Sequence, residues 1–251
     1  MQVWQHEPSR MSTAAPTLQD HAFLTTRWTR VRMASADSED GRRALADLCD
    51  AYYEPVVAYL RRALGDEEAA REVTHAFFAA MLGGHSIQAA DQSRGRFRWY
   101  LLGAVKHFVS HQREAAARLK RGGGAQAIAL DDAEAVALAD ERALSPDAEF
   151  DRQWAVTVIT RAMDALRAAC AAEGRADFFD LVADLLSGHA RHGDQAALAA
   201  VAGMSPDGFR MAVHRLKRRL RDCVKAEVAG TLEDPARVQE EMEALFAALA
   251  S

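Results

Sequence analysis

Apolar residues recur at steps of three and four along most of this chain, and this spacing constrains its fold more than any other feature. One such stripe runs from Leu45 through Leu48, Tyr52 and Val56 to Tyr59. The spacing places these side chains on one face of an α-helix. Alanine, which has the highest helix propensity, supplies 53 of the 251 residues. The sequence therefore predicts an all-α fold.

Glycine, proline and capping residues divide these stripes into separate helices. Pro55 interrupts the first stripe, which predicts a kink or a break into two helices near Tyr53. Asp66 is a suitable N-cap for a second helix that ends at Gly83, and a third helix is expected from about Phe97 to Lys120. The second helix is expected to turn the following residues inward: Ala69, Val73, Ala76, Phe77, Ala80 and Met81. Its other face would expose Glu68, Arg71, Glu72, His75 and Ala79.

A second helical unit is expected to begin at the turn Ser145-Pro146-Asp147. It contains a short helix over 194–202, a tight turn at Gly203-Met204, and a longer basic helix from Pro206 to about Ala229. Ser205 is the expected N-cap of this longer helix, with proline at the first helical position. This order is the layout of a helix-turn-helix. A last helix after Asp234-Pro235 is expected to pack within this unit through Val238, Met242, Leu245, Phe246 and Leu249.

Charge is distributed unevenly along the chain, whose formal net charge is −5. Residues 94–121 hold eight Lys or Arg against one acid, and residues 205–225 hold seven against two. Two basic segments in an acidic chain indicate two contacts with one polyanion, although solvated helix faces would give the same pattern. Between them, residues 131–151 hold eight acids and one base. This composition favours an acidic linker, with a solvated helix as the alternative.

The second basic segment is the strongest candidate for a DNA contact. In a helix-turn-helix, the N-terminal part of the second helix reads base edges and flanking basic residues hold phosphates. The exposed reading positions would be Ser205, Asp207, Arg210 and His214. The backbone contacts would come from Arg215, Lys217, Arg218, Arg219 and Arg221, while Val213, Leu216 and Leu220 would face inward. Helical hairpins without any DNA contact share this layout, and the basic run is what favours DNA.

The first basic segment interleaves arginine with aromatic residues. Arg96 and Arg98 alternate with Phe97 and Trp99, and Tyr100 follows. Aromatic faces can stack on unpaired bases while arginine holds the nucleic-acid backbone. Phe97 is expected in the core, whereas Trp99 and Tyr100 fit either a core position or a nucleic-acid contact.

Signals for catalysis or for a cofactor are weak. His107 and His111 have a helical spacing that can bind a metal, but no third ligand accompanies them. Cys49, Cys170 and Cys223 are far apart and odd in number, so they indicate neither a disulfide framework nor a thiolate metal site. The sequence predicts no enzyme activity, no cofactor and no metal. It lacks a signal-peptide layout and a membrane-spanning apolar run, so we expect a cytoplasmic protein with no membrane partner.

Several motifs occur in one order along the chain and together carry a resemblance. They are Thr25-Thr26-Arg27-Trp28, Leu48-Cys49-Asp50-Ala51-Tyr52-Tyr53-Glu54-Pro55, Thr74-His75-Ala76-Phe77-Phe78, Arg94-Gly95-Arg96-Phe97-Arg98, Lys120-Arg121-Gly122-Gly123-Gly124 and Met211-Ala212-Val213-His214-Arg215-Leu216-Lys217-Arg218-Arg219. With them the chain resembles an extracytoplasmic-function-type sigma factor, a two-domain member of the sigma-70 superfamily. It is most similar to the longer form found in planctomycetes and some other bacteria.

This resemblance implies a transcription initiation factor built from two helical domains. Residues 1–22 would be a flexible tail, 23–121 sigma region 2, 122–149 the acidic linker, and 150–251 region 4 with a C-terminal extension helix. The implied partners are promoter DNA and core RNA polymerase. Region 2 would dock on the clamp of the largest subunit and region 4 on the flap of the second-largest subunit. An anti-sigma or other regulatory protein is a further candidate partner.

The resemblance also implies roles for individual residues. The −35 element would be read by Ser205, Asp207, Arg210, His214, Arg215, Lys217, Arg218 and Arg219. Recognition and melting of the −10 element would use Arg96, Arg98, Trp99, Tyr100, Lys106, His107, Lys120 and Arg121. The polymerase clamp would be bound by Glu68, Glu72 and His75. The chain departs from the family pattern at His75, His107, His111 and Ala115-Ala116-Ala117.

Two other functions fit the same sequence. One is a diverged sigma-like regulator that binds DNA without engaging polymerase. The other is a protein-interaction module whose alanine-rich helices sequester a partner, and this module would have no salt-dependent affinity for DNA.

Overall fold

A computed structural model of the chain describes residues 38–83, 96–122, 144–188, 194–232 and 234–251. Within these residues there are eight α-helices, one short 3-10 helix over Pro235–Arg237 and no strand, so the all-α prediction is confirmed. The helices are α1 Glu39–Leu64, α2 Glu67–Gly83, α3 Phe97–Gly122, α4 Pro146–Ala172, α5 Ala176–Ser187, α6 Asp194–Val201, α7 Pro206–Ala229 and α8 Val238–Ala250. None of the helices in these ranges has the length and apolar character needed to cross a bilayer.

The helices begin at the capping residues that the sequence indicates. Before α2, Asp66 Oδ1 accepts a hydrogen bond from Ala69 N at 2.8 Å. Before α7, Ser205 Oγ accepts a hydrogen bond from Gly208 N at 3.2 Å. Each acceptor satisfies a backbone N–H that the first helical turn leaves unpaired. The predicted caps at these two positions are confirmed.

α1 runs through Pro55 without a break, so of the two predicted alternatives the break into two helices is wrong and the kink stays a prediction. A proline inside a helix removes one backbone hydrogen bond and costs about 3 kcal/mol. Here Pro55 itself is buried, and Tyr52 and Val56 on either side are fully buried in the core. Burying large apolar side chains contributes about 1.5–3 kcal/mol each. Tertiary packing therefore outweighs the local tendency to break the helix.

The inward face of α2 is shifted from the predicted one, because Ala70, Thr74 and Phe78 are also buried. Phe77 and Met81 are buried, but Ala76 and Ala80 are exposed, so the inward placement of these two alanines is wrong. Ala80 lines an open groove between α2 and α3 rather than a closed interface. The short alanine side chain gains little from burial, so the helical period alone does not fix its environment. The predicted outward residues are all exposed, namely Glu68, Arg71, Glu72, His75 and Ala79.

One hydrophobic core combines residues from both sides of the acidic segment. Tyr52 and Leu60 of α1, Trp154 of α4 and Leu245 of α8 are buried together in it. α1 packs along α4, and α4 also contacts α7 and α8. The two units that the sequence separates therefore share a core in this structure. Their division into domains stays a prediction.

α4 begins at Pro146, inside the segment 122–149 that is predicted as a linker. The acidic residues of this first turn contact the first helical unit, which consists of α1 to α3. Lys106 Nζ of α3 lies 2.6 Å from Asp147 Oδ2, and Arg61 of α1 pairs with Glu149 at 3.4 Å. The rest of the predicted linker, the predicted tail 1–22 and the motif Thr25-Thr26-Arg27-Trp28 lie outside the described residues.

α8 packs on α4 and α7, as the sequence predicts for the last helix. Met242 and Leu245 are buried at this contact, but Phe246 and Leu249 are exposed, so the predicted packing of these last two residues is wrong. The same helix also reaches Arg96 and α3 in the first unit through its acidic first turn, which the sequence does not indicate.

Candidate functional site

The helix-turn-helix is formed by α6 and α7. Gly203 lies between the two helices with a φ of 63°, a left-handed conformation that glycine adopts without strain. Phe209, Val213 and Leu216 of α7 are buried in a second core against α4, α5 and α6. This packing fixes the orientation of α7 and leaves its opposite face in solvent. The predicted inward positions of Val213 and Leu216 are confirmed, and Leu220 is half-buried.

The outer face of α7 carries most of the exposed positive charge in the second basic segment. Within the described part of the chain, no ion pair involves Arg215, Lys217, Arg218, Arg221 or Lys225, and all five are exposed. The reading positions Ser205, Asp207, Arg210 and His214 are exposed as well. Arg210 pairs with Asp207 one turn earlier. The structure thus brings these predicted residues onto one solvent-facing surface.

Met211 lies on this surface but is not assigned a role by the sequence. Its side chain is 56% exposed and it adjoins Arg210 on α7. An exposed apolar side chain beside basic reading positions can contact the methyl group of thymine. The sequence signal is that Met211 falls on the face of α7 opposite the buried Phe209 and Val213.

Arg219 is placed differently from the other basic residues of α7. It is half-buried and forms two hydrogen bonds to the Glu173 carboxylate just after α4, at 3.0 and 2.6 Å. These bonds lower the pKa of Glu173 and raise that of Arg219. In this structure Arg219 joins α7 to the end of α4 rather than facing outward.

Arg96 and Arg98 are buried, 5% and 4% exposed, although they are predicted to contact DNA. Arg98 Nε donates to Glu241 Oε1 at 2.7 Å, and Arg96 Nε lies 2.7 Å from Glu241 Oε2. Arg96 also pairs with Glu240 at 2.6 Å, and Arg98 pairs with Asp151. The two guanidinium groups are therefore not available at the surface in this structure. Phe97 between them is buried, which confirms its predicted core position.

Three of the remaining predicted contacts of the first basic segment, Trp99, Tyr100 and His107, line an open groove of about 680 Å³ between α2 and α3. Trp99 lines it and is 50% exposed, with the Arg96 guanidinium 4.5 Å from its ring. Tyr100 also lines it, as do His107 and His111, whose rings are 4.7 Å apart. Lys106 is exposed and pairs with Asp147, and the side chains of Lys120 and Arg121 lie outside the described structure.

The exposed face of α2 is acidic at its start. Glu68 and Glu72 are exposed, and neither forms an ion pair within the described ranges. His75 follows one turn later, where its Nε2 lies 2.9 Å from the Tyr53 hydroxyl of α1. The structure therefore places the three predicted clamp-binding residues on one surface and holds the His75 ring in a defined position.

The sequence analysis does not predict the acidic partners of Arg96 and Arg98. Glu241 falls between Val238 and Leu245 at helical spacing, on the inward side of α8. A charged residue on an apolar stripe needs a buried partner. That pattern is the signal that could have found the contact, although it does not say which base lies opposite.

The described residues contain no group of three potential metal ligands. The three cysteines are free thiols. Burial raises the pKa of Cys49, Cys170 and Cys223, which keeps these thiols protonated and weakly nucleophilic.

No protein-family model, curated protein or solved structure matches this chain. The resemblance to sigma factors therefore depends on the sequence motifs alone. Function has to be inferred from those motifs and from the chemistry of the surfaces.

Proposed function

We propose that this chain is a sigma factor, which binds core RNA polymerase and directs it to promoters for transcription initiation. The observation that carries the proposal is the basic outer face of α7, the second helix of the helix-turn-helix, which Ser205 caps. Exposed arginine and lysine side chains without ion-pair partners can bind a DNA backbone, because they displace the counterions of its phosphates. The motif order of the sigma-70 superfamily supplies the polymerase part of the proposal.

The two ends of α7 have different tasks in this proposal. Near its start, Arg210, Met211 and His214 face the base edges of the −35 element, and Asp207 orients Arg210. Further along, Arg215, Lys217 and Arg218 hold phosphates. Base contacts give sequence preference and phosphate contacts give affinity and register.

α2 supplies the polymerase contact. Glu68 and Glu72 present carboxylates to a basic surface on the clamp of the largest subunit, and His75 adds a polar contact whose position Tyr53 fixes. Opposite charges on two protein surfaces steer association and fix its register.

The groove between α2 and α3 suits the opened −10 element. Trp99 and Tyr100 offer aromatic faces on which unpaired bases can stack, and His107 also lines the groove. Strand opening needs such a contact, because an unpaired base has to be held outside the duplex.

Co-purification with bacterial core RNA polymerase tests the proposal. The wild-type chain should elute with the polymerase in a stoichiometric complex that initiates at defined sites on genomic fragments. Glu72→Lys should remove this complex while helical content is unchanged. Glu243→Lys is the matched control, because it makes the same charge change on an exposed position of α8. Equal polymerase binding by wild type and Glu72→Lys would show that α2 is not the docking face.

Binding of the full chain to promoter-containing duplexes tests the role of α7. Arg218→Gln should lower the slope of log affinity against log salt by about 0.9, the value for one phosphate contact. Arg152→Gln, an exposed change on α4, should leave the slope unchanged. Equal slopes for the two variants would remove Arg218 from the DNA surface.

One observation favours a second candidate, a DNA-binding regulator that does not engage polymerase. The burial of Arg96 and Arg98 leaves α7 as the main exposed basic surface of the described chain. Such a regulator would bind specific duplexes through α7 alone. Specific duplex binding without any polymerase complex would support this candidate and contradict the sigma factor.

A further inference from the structure

A buried ionic cluster joins α8 to the start of α3. Its centre is Glu241, whose side chain is fully buried. One carboxylate oxygen accepts from Arg98 Nε at 2.7 Å, and the other lies 2.7 Å from Arg96 Nε. Arg98 Nη2 also donates to this second oxygen at 3.5 Å, so Arg98 hydrogen-bonds both oxygens of the carboxylate. Arg96 contributes a close charge contact, but its buried Nε and Nη2 atoms form no hydrogen bond.

Further charges complete this cluster. Glu240 pairs with Arg96 at 2.6 Å and with Arg237 at 3.3 Å. Asp151 of α4 pairs with Arg98. The cluster thus holds three carboxylates and three arginines, so its formal charges balance.

An aromatic ring lies against each of the two guanidinium groups. The Arg98 guanidinium lies 4.5 Å from the Trp154 ring, and that of Arg96 lies 4.5 Å from the Trp99 ring. When an arginine stacks on an aromatic ring, the N–H donors at the edge of its planar guanidinium group can still bind a carboxylate or a phosphate. The geometry that holds Glu241 is therefore also one that suits a phosphate.

Stability alone does not account for such a cluster. Apolar residues of similar volume often replace a buried ion pair with no loss of stability, because desolvation offsets much of the attraction. A buried ionic contact can open at a lower cost than an apolar one, because water hydrates the exposed charges and another anion can pair with the arginines. The contact between α8 and α3 therefore has the chemistry of a surface that can separate.

We propose that Glu241 occupies a phosphate site formed by Arg96 and Arg98, so that α8 is an intramolecular competitor of single-stranded DNA. In the closed state the carboxylate holds both guanidinium groups. When DNA binds the first unit, a backbone phosphate replaces Glu241 and α8 leaves α3. This inference depends on the proposed nucleic-acid contact of the first unit, and it explains why two residues of that contact are buried in the free chain.

Linkage makes the competition reciprocal. If closure by α8 weakens DNA binding by some factor, then bound DNA weakens closure by the same factor. Opening of α8 can be followed by hydrogen exchange of the amides in 238–250, without any reference to DNA. Binding can be followed by the fluorescence anisotropy of a labelled single-stranded oligonucleotide. The two measurements are independent of each other.

The test compares Glu241→Gln with Glu243→Gln in the full chain. Both remove one negative charge from α8, but Glu243 is exposed. Glu241→Gln should accelerate exchange of the α8 amides and raise affinity for the oligonucleotide about tenfold. Its slope of log affinity against log salt should differ from the wild-type slope by less than about 0.7, the value for one phosphate contact, because both chains hold the same phosphates once DNA is bound. Glu243→Gln should change exchange by less than about twofold, as surface substitutions do.

Further variants protect the test against misfolding. Glu240→Gln keeps Glu241 in place and weakens the ion pairs that the exposed Glu240 forms with Arg96 and Arg237, so it should give the same changes at smaller size. Adding Arg96→Gln and Arg98→Gln to Glu241→Gln should abolish the gain in affinity. If affinity for the oligonucleotide stays equal in wild type, Glu240→Gln and Glu241→Gln, the proposal is overturned.

The outcomes separate this inference from the sigma-factor proposal. A wild-type chain that binds polymerase while Glu241→Gln leaves oligonucleotide affinity unchanged overturns only the competition. A gain in affinity by Glu241→Gln in a chain that never binds polymerase supports the competition and contradicts the sigma factor. Oligonucleotide added to wild type should also accelerate α8 exchange, and unchanged exchange at saturation would contradict the competition.

Discussion

Arg98 and Glu241 are 143 positions apart in the sequence, yet Arg98 Nε donates a hydrogen bond to Glu241 Oε1 at 2.7 Å. Arg98 lies in the first turn of α3, and Glu241 lies in the first turn of α8. Their contact ties α8 to the start of α3, in addition to the hydrophobic core that the two sides share. It also turns a residue with an expected role on nucleic acid into part of the protein interior.

Arg98→Gln should lower the free energy of unfolding by about 3–5 kcal/mol, because it leaves Glu241 and Asp151 with less compensation in a buried site. Urea unfolding followed by circular dichroism measures this change. Arg152→Gln, an exposed change on α4, should stay within about 0.5 kcal/mol of wild type. Similar values for both variants would show that the buried cluster contributes nothing to closure.

Leu245→Ala should lower the free energy of unfolding by about 2–5 kcal/mol, since it opens a cavity where α8 meets the shared core. Leu249→Ala is its matched control on the same helix, where the side chain is 38% exposed. The control should cost less than about 1 kcal/mol. Equal losses in the two variants, measured by urea unfolding, would mean that α8 does not pack as described.

Arg219→Gln should destabilise the protein at neutral pH by less than about 1 kcal/mol, the range of partly exposed ion pairs. The hydrogen bonds from Arg219 lower the pKa of Glu173 below its ordinary value of 4.5. The stabilisation is therefore fully present above that value and is lost as pH falls through the lower folded-state pKa. The difference between wild type and Arg219→Gln should shrink in urea unfolding between pH 7 and about pH 3. A difference that is constant over this range would exclude the carboxylate as its source.

Gly208→Ala should have little effect in the wild-type chain but should stabilise a Ser205→Ala background by about 1 kcal/mol. A Cβ at position 208 would lie 3.1 Å from Ser205 Oγ, which caps α7, so the gain in helix propensity is offset by a displaced cap. Ser205→Ala alone should cost about 1 kcal/mol. The four proteins form a double-mutant cycle in thermal unfolding. An identical effect of Gly208→Ala in both backgrounds would rule out this steric coupling.

The sequence by itself determined the features that depend on near neighbours. The caps at Asp66 and Ser205, the inward face of α7 and the exposed face of α2 all follow from residues within a few positions of each other. The helical period and the capping hydroxyl act over one or two turns, so they can be recognised without knowing the rest of the fold. For the same reason the sequence could predict that most basic residues of α7 lie together on its exposed face.

Only the tertiary structure decided the features that depend on distant partners. It keeps Pro55 inside one helix, because packing against α4 outweighs one lost hydrogen bond. It also buries Arg96 and Arg98, because Glu241 and Asp151 arrive from other helices. A basic residue looks the same in a sequence whether it faces DNA or a carboxylate. The choice is made by whichever anion the folded chain brings within about 3 Å of it, the distance of a charge-assisted hydrogen bond.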